Sequence, residues 1–251
     1  MTKLCAPAIY LSVSIIIFLV FLGIVFFVWY PRPYFETDDN EKVLWILAGA
    51  YMALGPLLAL IFFKPGKPRL TFDVICIALM QASTLFYSGA IIYQQRPEFV
   101  VFGIDLFTTV TATEVEFDKL KYPELQRTVG IEPLLVQARP PENLKLCQEL
   151  LFEVLFESKK DMEFRAELYG PYQPDLQQLR LHSIDLTQIA TLSTDAKQAI
   201  NTFVTQHGGR LNDYLYLPLK GRNKDIVMVL APENGLPVGS IPINPWLEDY
   251  R

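Results

Sequence analysis

The sequence predicts a membrane protein: three transmembrane α-helices followed by a soluble α+β domain with a mainly antiparallel sheet. Three observations carry that expectation. Residues 1–93 hold three long runs without a charged side chain, residues 94–251 read as strands, then helices, then strands, and charge divides between the two parts. Six cations and five anions fall in residues 1–93, against 16 cations and 22 anions in the remainder, which together make the whole-chain charge of −5. A net acidic domain does not attract nucleic acid phosphates on overall charge, so no nucleic acid partner is expected.

The first run, Ala8 to Tyr30, is 23 residues without a charge. At about 1.5 Å per residue a helix of that length matches a hydrocarbon core of roughly 30 Å. A signal peptide would have a shorter apolar centre ending in small residues. This run ends instead in Phe26-Phe27-Val28-Trp29-Tyr30, an aromatic belt suited to an interface. Val43 to Phe63 and Val74 to Tyr93 form the second and third runs. The spans are therefore placed at about 8–30, 43–63 and 74–93, within a membrane region of residues 1–93.

Short loops set the orientation, because Lys and Arg stay on the cytoplasmic side. Lys3 and the cluster Lys64, Lys67 and Arg69 share one side, whereas Pro31–Lys42 is largely acidic. The N-terminus is thus expected inside, with residues 94–251 in the periplasm and the chain in the inner membrane beside its lipids. Pro31-Arg32-Pro33 and Pro65-Gly66-Lys67-Pro68 stop the flanking helices, since proline lacks the amide donor and disfavours helical geometry before it. The second stretch is not a phosphate loop, as its single Gly-Lys is followed by Pro. Gln81, Ser83 and Thr84 fall near the middle of the third run and require a helical neighbour. Gly49 and Ala53 form a small-x-x-x-small pair on the second. Packing within the chain and a groove for a partner's helix both satisfy these residues.

Beyond Glu98, Phe99–Phe102 and Phe107–Thr111 are β-branched and aromatic, and read as strands. A helix opens at Pro141-Glu142-Asn143 and runs to about Lys159, with Leu144, Cys147, Leu151, Leu155 and Phe156 on an apolar side expected to face the core. Further helices are expected over about 174–182 and 194–207, the latter capped by Ser193 or Thr194 and closed by Gly208-Gly209. Strands return at Tyr214–Pro218, Asp225–Ala231 and Pro237–Ile243, the last two joined by the turn Pro232-Glu233-Asn234-Gly235.

Chemistry-bearing patterns are few. His182 and His207 lie on separate helices without ligand spacing, and no G-x-S-x-G, H-E-x-x-H or glycine-rich nucleotide loop occurs. No catalytic, metal or cofactor site is expected. Cys147 is the lone cysteine beyond residue 93, which leaves a buried thiol or an intermolecular bond.

Several motifs lie in one order along the chain. They are Phe27-Val28-Trp29-Tyr30-Pro31, Pro33-Tyr34-Phe35, Leu54-Gly55-Pro56-Leu57-Leu58, Phe63-Lys64-Pro65-Gly66-Lys67 and Phe72-Asp73. Tyr93-Gln94, Arg96-Pro97 and Phe102 continue the series, followed late in the chain by Tyr216-Leu217-Pro218-Leu219-x-Gly221-Arg222 and Pro245-Trp246. In these the sequence resembles the TfpX/TfpZ-type type IV pilin accessory proteins across nearly its whole length. It departs at Tyr51-Met52, where that family carries an aspartate, and at Leu106, where it often carries arginine. The resemblance implies a non-enzymatic inner-membrane factor that stabilises a specific type IV pilin or promotes its assembly, with the pilin and other pilus assembly proteins as partners. A membrane-anchored envelope enzyme acting on pilin or glycan is the alternative, through a carboxylate pair that the fold would have to assemble.

Overall fold

Phe99-Val100-Val101-Phe102 is apolar at every position, the signature of a strand covered on both faces rather than one. The computed structural model places it at the centre of a sheet. It describes residues 5–30, 34, 37, 49, 70–126, 133–141, 143–156 and 160–250. The chain divides into two compact units, one of Met1–Pro31 with Asp39–Arg96, the other of Arg32–Asp38 with Pro97–Arg251.

In the first unit, α1 (Cys5–Ile24) continues into a π-helical turn over Val25–Trp29, and α2 spans Leu70–Gln94. Their C-terminal ends interlock. The buried Tyr30 hydroxyl donates to the Ile92 carbonyl at 3.0 Å, one of the last-turn carbonyls that the helix itself cannot use. Trp29 packs edge-on against Tyr93 at 5.3 Å and against Phe21 at 6.1 Å. Gly89 lets the helices approach here, since a Cβ at that position would sit 3.2 Å from the Phe21 ring. Arg96 then lies 4.4 Å over the Tyr93 ring.

The three-span expectation is corrected by this structure. Among the described residues, no helix is long and apolar enough to cross a membrane. Counting charge-free residues was too weak a criterion. In α1, α-helical bonding yields to a π turn at Val25. In α2, Gln81, Ser83, Thr84 and Ser88 interrupt the apolar run. The second expected span, 43–63, lies outside the described residues apart from Gly49.

The second unit carries seven strands: β1 (Pro97–Phe102), β2 (Phe107–Thr111), β3 (Leu134–Ala138), β4 (Tyr169–Pro171), β5 (Leu215–Lys220), β6 (Ile226–Leu230) and β7 (Pro237–Ile241). They form one sheet in the order β4-β3-β1-β2-β5-β6-β7. β1–β2, β3–β4, β5–β6 and β6–β7 are antiparallel, while β1–β3 and β2–β5 are parallel. The sheet is thus mixed where the sequence predicts a mainly antiparallel one. Both parallel pairs join strands distant in the chain, and local turn signals carry no trace of such crossovers.

Alternation along the strands makes three cores. Val100, Phe102 and Phe107 meet Leu215, Leu217 and Leu219 on one face, covered by Leu179 and by Tyr34 and Tyr172. On the other face, Phe99, Val101 and Val110 pack beneath short 3₁₀ turns with Met162 and Tyr169. Farther along that face, Tyr216, Val227 and Val229 meet Ile189, Ile200 and Phe203. Three helices supply the cover: α4 (Leu176–His182), α5 (Leu186–Leu192) and α6 (Thr194–His207). The side chains of Asp175, Asp185 and Ser193 cap them, accepting first-turn amide hydrogens, and Gly208 at φ 74° ends the last. Burial pushes the Tyr216 hydroxyl up to about 12, so it stays protonated and donates to the Leu211 carbonyl at 2.7 Å. The remaining helix, α3 (Leu144–Phe156), joins none of the three cores.

A strap from early in the chain closes the β5–β6 turn. Thr37 is fully buried, and its carbonyl accepts from the amides of Asn223 at 3.1 Å and Lys224 at 3.0 Å. Its hydroxyl donates to the Tyr34 carbonyl at 2.8 Å. Gly221 is what allows this approach, because a Cβ there would overlap Thr37 and the Lys224 carbonyl. Asp225 completes the turn, accepting from the Gly221 amide at 3.2 Å and from the Trp246 indole at 2.7 Å.

Replacing Phe107 by Ala, which empties the core beside the β2–β5 joint, is expected to cost about 3–5 kcal/mol in urea unfolding. Gly221→Ala should cost about 1–3 kcal/mol by overpacking the strap, whereas Gly239→Ala meets mainly the edge of the Phe203 ring and should cost less. Asp185→Ala removes a cap worth about 1 kcal/mol at neutral pH. Hydrogen bonds from Thr187 hold the Asp185 carboxyl below its ordinary value. That contribution is therefore complete above the ordinary carboxylate range and is lost as pH falls through the lowered value, so wild type and variant should converge in acid.

Candidate interaction surface

The residues that the sequence marks as candidates do not converge. On α2, Gln81 is half-buried, Ser83 is exposed, and the half-buried Thr84 hydroxyl donates to the Met80 carbonyl of its own helix at 2.9 Å. Gly49 is an exposed helical residue with nothing within 4 Å of its Cβ position. Ala53, Lys3, Lys64, Lys67 and Arg69 lie outside the described residues. His207 stacks on Phe203 at 4.1 Å, far in the chain from His182 in the last turn of α4. Among the described residues, no group of three or more His, Cys, Asp or Glu is placed to hold a metal ion.

The conspicuous surface is α3. Its start is set by Asn143, whose side chain accepts from the Lys145 amide at 2.9 Å. The helix rests on Cys147, Leu150, Glu153 and Val154, all half-buried. Arg165 fastens that side, donating to the Glu153 carboxylate at 2.8 Å and to the Lys160 carbonyl at 3.0 Å. The opposite side is bare. Leu144, Leu155 and Phe156 are 72% exposed, and Leu151 and Phe152 are 54% exposed. Phe152 and Phe156 lie against each other at 4.8 Å. A cleft of about 530 Å³ runs between the helix and β4, lined by Leu146, Leu150, Tyr122, Arg139, Tyr169 and Gly170.

The apolar side assigned to the core from the sequence, Leu144, Leu151, Leu155 and Phe156, therefore faces outward, while Cys147 alone of that set turns to the body. Periodicity states which residues share a helical face but not what the face meets. A signal was nonetheless present. Nine of the 13 residues in LKLCQELLFEVLF are apolar, too many for one buried stripe, so part of this surface had to remain uncovered by the domain.

The motif residues behave differently. Tyr34, Gly221 and Trp246, from three separate signature segments, all serve the strap and the β5–β6 turn.

Comparison with known proteins places the chain among pilus-related proteins. No family model matches it, and no solved structure matches it. It is 26% identical over 231 residues to a fimbrial assembly protein of serogroup E1 from Dichelobacter nodosus, covering 90% of this chain and 89% of the relative. A serogroup I fimbrial assembly protein of the same organism is 27% identical over 217 residues, 84% of each chain. A third, from serogroups C1 and C2, is 34% identical over 100 residues, which are 39% of this chain and 76% of the relative. With two relatives matched along most of their length and a third above 30% identity, the chain belongs to the fimbrial assembly proteins.

Proposed function

We propose that this protein is a non-catalytic accessory factor of the TfpX/TfpZ type, which binds a specific type IV pilin and stabilises it or promotes its assembly. The observation that supports this most is the end-to-end match to proteins named for fimbrial assembly, at 84–90% of this chain. A match of that extent covers both compact units, so the shared role draws on the whole chain rather than on one borrowed module. The uncovered apolar helix supports a protein that works by contact, because monomeric proteins seldom leave such a surface bare. The place of action in this reading is the periplasmic side of the inner membrane, where pilin waits before it is assembled.

Deleting the gene separates the two versions of the role. Pilus number on the cell surface should fall in either case. If pilin level falls with it, the protein stabilises pilin; if pilin stays at its normal level, the protein acts in assembly. Normal pilin together with normal pili would overturn the proposal.

A further inference from the structure

We draw no further inference here: the strongest candidate, the bare side of α3 with Leu151, Phe152, Leu155 and Phe156, is interrupted by the exposed Lys145, and nothing in the structure shows what covers it.

Discussion

The seven-stranded sheet domain depends on one narrow joint. β4, β3, β1 and β2 form one half of the sheet and β5, β6 and β7 the other. The halves meet only where β2 runs parallel to β5, at Phe107 against Leu219 and Thr108 against Lys220. Two paired positions supply little hydrogen bonding, so side chains must hold the joint. Val100, Phe102 and Phe107 from one half interdigitate with Leu215, Leu217 and Leu219 from the other, all buried in one cluster. Thr109 adds a long hydrogen bond of 3.4 Å to the Lys220 carbonyl, across 111 positions of sequence. Ordering that much intervening chain has an entropic cost which only burial on this scale offsets.

The strap follows from the same constraint. The β5–β6 turn stands beside the joint, and its amides at Asn223 and Lys224 both point at the buried Thr37. The Thr37 carbonyl satisfies both, and Gly221 leaves room for it. Asp225 then connects the turn to Trp246 near the end of the chain. Segments more than 200 residues apart are thus needed to finish one turn. That accounts for why the signature residues around Tyr34, Gly221 and Trp246 occur together.

The helix α3, by contrast, is one that the sheet never absorbed. α3 is fixed on one side by Arg165 and Glu153 and left apolar on the other. A helix docked by an ion pair and a few half-buried residues is a layer separate from the three cores.

Much of the architecture was legible in the sequence because it is written locally. Doubly apolar strands at Phe99–Phe102 and Ile226–Leu230, the cap at Ser193, the glycine that ends α6 and the β6–β7 hairpin all follow from short-range patterns. Length and the absence of charge, by contrast, did not decide whether a helix crosses a membrane: among the described residues none is long and apolar enough to do so. The parallel joint between β2 and β5, the closure of the turn by Thr37 and the outward face of α3 were decided only by tertiary structure. Each is a relation between segments far apart in the chain. Periodicity can state that Leu151 and Leu155 share a side, but only the assembled sheet determines that this side is the one left facing water.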